Sequence, residues 1–193
     1  MTKNRLEAFS DGVLAIIITI MVLEFKVPDD TTFESVVKLS HKFLSYILSF
    51  IYVGIYWNNH HHLLQTAKNV NGKILWANLH LLFWLSLITF TTAWIGEHHF
   101  ASFPMMLYGI ILLMNAIAFN ILQRTIIQHH GKESVLYKAV GKDFKGKTSV
   151  VFYLLAVFLT KYYPIISGII YILVALMWLI PDKRIEHILE EEK

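Results

Sequence analysis

The stretch RLEAFSDGVLAIIITIMVLEF (5–25) sets Arg5, Ser10 and Asp11 directly before a run, Val13 to Leu23, as apolar as a membrane span. Two more segments bury polar groups in greasy surroundings: YWNNHHH (56–62), with Trp57, His60 and His61, and WANLH (76–80), with Asn78 and His80. A carboxylate and imidazoles in such places could pass a proton, ligate a metal or clamp helices together. Lipid offers them no partner, so polar residues at one depth find each other. Acyl or phosphoryl chemistry is not indicated, because no nucleophile, base and orienting group fall into place together. The chain is not read as an enzyme.

Helical spacing divides the first stretch. At 100° per residue, Ile16, Ile20 and Leu23 fall within about 40° of one line, which Phe9 extends downward and Thr19 flanks. Asp11 points roughly opposite. One face is thus an Ile/Leu ladder. The other directs a carboxylate toward the YWNNHHH and WANLH segments and buries it there. Spacing alone leaves the ladder open to two readings, a packing seam or a dry constriction.

These residues need elements to hold them. The chain has 193 residues, 55% hydrophobic and 16% charged, with a mean hydropathy of +0.52. Soluble domains carry about 25% charged residues. Phe43–Leu63, Ile74–Gly96, Phe100–Leu122, Thr148–Thr160 and Tyr162–Pro181 are free or nearly free of charge. About 20 apolar residues cross a bilayer as helix. The expectation is one all-α, integral-membrane six-helix domain (1–193), with helices near 6–27, 36–63, 74–96, 101–124, 147–161 and 164–181. A short surface helix is expected within 123–146. The first segment ends in EFKVPDD rather than a small-residue cleavage site, so it is expected to be retained. No cysteine is present, which excludes disulfides and thiolate chemistry. A pI near 9.0 reflects membrane topology rather than nucleic-acid binding.

Basic residues orient the bundle. With the N-terminus inside, thirteen lie on the cytoplasmic side: Lys3, Arg5, Lys68, Lys73, Arg124, Lys132, Lys138, Lys142, Lys145, Lys147, Lys183, Arg184 and Lys193. Outside are Lys26, Lys38, Lys42 and Lys161. Both termini are therefore expected in the cytoplasm of a cell whose membrane the chain spans. The polar parts of helices one, two and three then share one leaflet.

The pattern R-x-x-x-F-S-D-x-x-x-A, met by Arg5, Phe9, Ser10, Asp11 and Ala15, resembles the hallmark of the transmembrane protein 175 family. YWNNHHHLL is similar to that family's Trp-x-x-His-His segment, and NLHLLFWLSLITFTTAWIGEH to its third-helix signature. The resemblance implies a potassium-permeable channel, a homotetramer whose first helices line a central pore, with K+ as permeant ion and no cofactor or metal. It maps a hydrophobic gate onto Ile16, the next turns onto Ile20 and Leu23, and a hydroxyl layer onto Thr19. Arg5, Phe9, Ser10, Asp11, Trp57, His60, His61 and Asn78 would brace helix one. The three consecutive histidines leave the Trp–His register open by one residue.

Two other readings are open to the residues. A proton- or cation-coupled transporter could use Asp11 as carrier, but such folds show repeats and broken midplane helices, and none is visible. A haem or metal protein could draw on His41, His61 and His80. His98-His99 and His129-His130 read as solvated loop residues, for no third ligand lies at metal-site spacing.

Overall fold

A computed structural model describes residues 2–28, 30–131, 133–140 and 143–179, and everything below concerns these. They form eight helices, where six spans and one short surface helix were expected: α1 (Lys3–Leu23), α2 (Phe33–Val37), α3 (Ser40–Gln65), α4 (Gly72–Glu97), α5 (Ser102–His130), α6 (Val135–Val140), α7 (Phe144–Thr160) and α8 (Pro164–Leu179). The architecture is all-α. The added helix, α2, takes over the start of the expected second span. The Thr32 hydroxyl oxygen caps it by accepting from the Ser35 amide at 3.3 Å, and the chain resets at Leu39. Helix α6 lies in the segment where the surface helix was expected.

The boundaries shift for local reasons. Helix α1 stops at Leu23, four residues short of the expected end. Pro28 disfavours helix at Val27, and Phe25 swings back so that its ring meets Phe43 (4.7 Å) and Tyr46 (5.4 Å) on α3. Helix α5 continues six residues beyond 124, to Gly131 at φ 83°, a left-handed position that glycine takes without strain. Helix α7 begins at Phe144, capped by Asp143, whose carboxylate accepts from the Gly146 amide at 3.2 Å. The expected end of the sixth span, 180–181, lies outside the described residues.

Three helices are long and apolar enough to cross a membrane: α1, α4 and α5. Helix α8 is as greasy but has 16 residues, and α7 has 17. Helix α3 has the length, but its YWNNHHH end lowers its apolarity.

Helix α4 is the centre of the assembly. It packs on α1 and α3 on one side and on α5 on the other, and α5 in turn carries α7 and α8. Helix α1 packs chiefly on α3 and α4. Behind that front layer lies a core stitched by tyrosine hydroxyls. Tyr52 donates to the Tyr171 carbonyl, Tyr153 to Tyr52 at 3.2 Å, and Tyr171 to the Met105 carbonyl at 3.2 Å. Ser49 bonds Tyr108 at 3.0 Å and Thr92 at 2.6 Å, joining α3, α4 and α5.

Gly109 allows the closest of these approaches. A Cβ there would collide with the hydroxyl of Tyr171, a fully buried side chain with no room to swing aside. Gly109→Ala is therefore expected to lower stability by about 1–3 kcal/mol, the usual cost of overpacking. Thermal unfolding in detergent checks this; an unchanged midpoint would contradict the packing.

Candidate functional site

Helix one sorts its residues by face. Leu6, Ser10, Leu14, Ile17 and Met21 are its buried stripe, repeating every three or four positions against α3 and α4. Ile16 (59% exposed), Ile20, Leu23 (74%) and Phe9 all face away from the subunit. Thr19 is exposed between them and donates its hydroxyl hydrogen to the Ala15 carbonyl at 2.8 Å, leaving the oxygen lone pairs outward. The ladder read from the spacing is thus a free apolar surface of one chain.

Behind it runs a buried polar chain across three helices. The imidazole of His60 on α3 donates through Nε2 to Asn78 Oδ1 on α4 at 2.7 Å. The Asn78 amide donates to Ser10 Oγ on α1 at 2.9 Å, and Ser10 donates to the Leu6 carbonyl at 2.8 Å. All three side chains are buried, Ser10 and Asn78 completely. No charge is involved. Each donor meets an acceptor, which is what makes such burial tolerable.

Asp11 corrects the expectation of a buried carboxylate. It does turn toward α3, where Oδ1 accepts from the Trp57 indole at 3.0 Å, but it stands exposed in the single chain. The turn angle explains this: Ser10 lies on the Leu6–Leu14 stripe, and one further residue moves Asp11 about 100° off it. The serine, not the aspartate, is the buried anchor.

The histidine register is also resolved. His60 joins the buried chain; His61 is exposed, stacks on Trp57 (6.5 Å between centroids) and accepts from the Gln65 amide at 2.8 Å. Arg5 and Phe9 were expected to brace helix one, yet both face outward, and Arg5 makes no ion pair among the described residues. The tie at that end comes from Lys3, which the sequence reading passed over. Its ammonium donates to the Gln65 carbonyl at 3.2 Å and lies 3.8 Å from Glu7. A cation on the last carbonyls of a helix is favourable, and that was the available signal.

The candidate haem ligands do not converge. His80 accepts from the Trp84 indole at 2.9 Å, His41 meets His99 edge-on at 4.3 Å, and His61 is held as above. Among the described residues no group of three histidines or carboxylates could hold a metal.

A family model described as the endosomal/lysosomal potassium channel TMEM175 matches residues 5–89, the part holding α1, α3 and most of α4. A potassium channel of Chryseobacterium sp. (strain P1-3) is 60% identical over 191 residues, covering 99% of this chain and 100% of the relative. The chain belongs to the TMEM175 family. The crystal structure of a lysosomal potassium-selective channel TMEM175 homolog from Chamaesiphon minutus superposes with a TM-score of 0.80 at 28% identity, covering 93% of this chain and 97% of that one. The endosomal/lysosomal proton channel TMEM175 of Gallus gallus is 30% identical over 132 residues, 65% of this chain and 25% of that longer protein. TMEM175 membership makes this a membrane protein, and the front layer that the family model spans is the layer holding the ladder and the buried polar chain.

Proposed function

We propose that this protein is a potassium channel, conducting where four copies of helix one meet on a common axis. The observation that carries this is the 60% identity, over essentially the full length of both chains, to a protein named as a potassium channel. Six helices would span the bilayer, α1, α3, α4, α5, α7 and α8, with both termini in the cytoplasm. At 17 residues α7 is about 25 Å long, so Lys147 and Lys161 at its ends would snorkel to reach the headgroups.

The mechanism follows from the exposed face. One helix encloses nothing, and closed symmetry is the usual arrangement of identical chains. Four copies of Ile16 and Ile20 would make an apolar neck, which when narrow excludes water and stops ions by dewetting. A small rotation of helix one would widen it. Thr19 oxygens one turn away would offer partial replacement for lost hydration, which potassium gives up more cheaply than sodium. The Ser10–Asn78–His60 chain would hold each helix at its angle. Outward-facing Arg5 and Asp11 would then find partners between subunits.

Liposomes holding purified protein between opposed potassium and sodium gradients test the reading. The expected result is a potential near the potassium equilibrium value. A proton-driven potential that ignores potassium would replace the ion, and no flux at all would remove the function. Because the chain has no cysteine, a single Ile16→Cys or Ile20→Cys should cross-link between chains in native membranes. Chains that stay monomeric there while passing potassium would move the conduit inside one subunit.

A further inference from the structure

Helix α5 ends in two histidines that clasp the connection between α3 and α4, and the hydrogen-bond directions fix the protonation of both rings. His130 Nδ1 is 3.0 Å from the Ile126 carbonyl, an atom that can only accept, so Nδ1 carries the proton. Its Nε2 faces two backbone amides, Lys68 at 3.1 Å and Asn69 at 3.5 Å, which can only donate, so Nε2 must be bare. For His129 the direction comes from Asn71. That side chain caps α4 through Oδ1, which accepts from the Ile74 amide at 3.0 Å, and so presents its Nδ2 to His129 Nδ1, also at 3.0 Å. Nδ1 is therefore the acceptor, and Nε2 donates to Asn69 Oδ1 at 2.7 Å. The two rings touch edge-on, 4.9 Å apart.

Neither ring can take a second proton in place. A proton on His130 Nε2 would point at two N–H groups, and one on His129 Nδ1 would point at the Asn71 amide. The connection itself offers no counter-charge, for residues 66–74, TAKNVNGKI, contain no acid. Of the nearby charged groups, Lys68 lies on the connection itself, Lys73 and His80 line the same groove as His129, and Arg124 is exposed on α5. Beyond Gly131, Glu133 lies 3.6 Å from Lys138. The protonated rings do have another place to go, for both sit in the last turn of α5, where the unpaired carbonyls of a helix C-terminus attract cations. His129 is exposed and His130 half-buried, so protons reach them.

We propose that His129 and His130 form a proton-operated clasp: neutral, they pin the α3–α4 connection to the end of α5, and proton uptake releases it. The released segment runs from α3, which carries His60 and the Gln65 carbonyl that receives Lys3, to α4, which carries Asn78. Acid on that side would therefore loosen the support of helix one. This consequence for conduction rests on the channel reading; the clasp itself does not.

Hydrogen–deuterium exchange on the full chain in detergent tests the clasp without any flux measurement. Protection of residues 66–71 is measured at pH 7.5 and pH 5.0, each corrected for intrinsic exchange chemistry. The Lys68 and Asn69 amides are expected to lose on the order of tenfold in protection at the lower pH, as a local opening would produce. In His130→Gln the same amides should be weakly protected at both values. Equal protection at the two pH values in the natural chain overturns the proposal, as does an absence of protection at pH 7.5. So does an acid-induced loss in His130→Gln matching that of the natural chain. The natural chain alone decides if the variant does not fold.

Discussion

Ile16→Asn should give a channel that leaks. In reconstituted bilayers its cation conductance should rise and its reversal potential under opposed gradients should move toward zero. Ile16 is exposed on the free face of helix one, and four copies about an axis would put four amides where four sec-butyl groups had excluded water. A hydrogen-bonding group in an otherwise apolar constriction gives water something to hold, and the transfer cost it offsets is about 1–3 kcal/mol per group. For one group that corresponds to roughly five- to 160-fold in passage rate. Selectivity falls because a hydrated neck no longer requires dehydration. Ile20→Asn should do the same to a smaller degree, and Thr19→Val should change ion preference more than total current. Unaltered conductance and reversal potential for Ile16→Asn would take the residue out of the gate.

Asn78→Leu is expected to prevent accumulation of folded protein. Leucine matches asparagine in shape, so no cavity arises; the loss is polar. Both functional ends of the Asn78 amide are used, one accepting from His60 and one donating to Ser10. Leucine strands the His60 N–H and the Ser10 oxygen, both buried, at about 1–3 kcal/mol each. Against a total stability of about 5–15 kcal/mol, that is a large fraction. Removing all three partners together, as His60→Leu, Asn78→Leu and Ser10→Ala, should recover part of the loss, because no orphan remains. Asp11→Ala should cost a single subunit little, since its bond to Trp57 is exposed. A thermal midpoint for Asn78→Leu equal to that of Asp11→Ala would show the buried chain to be dispensable.

The sequence was readable wherever a period or a polar intruder stood out. Long charge-free runs announced the major helices, and the Ile16–Ile20–Leu23 spacing announced a face. Polar residues in three segments announced a meeting point. The ladder's direction alone pointed to the wrong neighbour: Asp11 lies roughly opposite Ile16 and Ile20, but the buried stripe is centred on Ser10, and its rotation is set by α3 and α4. Periodicity could not choose among His60, His61 and His62 for the same reason. The early end of α1 depends on Phe25 finding Phe43 and Tyr46, a contact between distant residues. The paired histidines at 129 and 130 read as solvated because their partners are backbone amides and asparagines some 60 positions earlier, and such partners leave no mark of their own.

Helix one leans on α3 and α4 and hardly on anything else. The chain therefore has a front that meets helix one directly and a tyrosine-stitched back that meets it mainly through α3 and α4. Beyond Thr89, Thr92 still reaches α1, its hydroxyl 4.0 Å from the Met21 sulfur. The family model ends at residue 89, near where the partners of α1 run out. A bacterial relative can differ at most positions and still superpose closely. A change in the rear helices therefore reaches helix one at second hand, through α3 and α4, and the histidine pair at the end of α5 acts by that route.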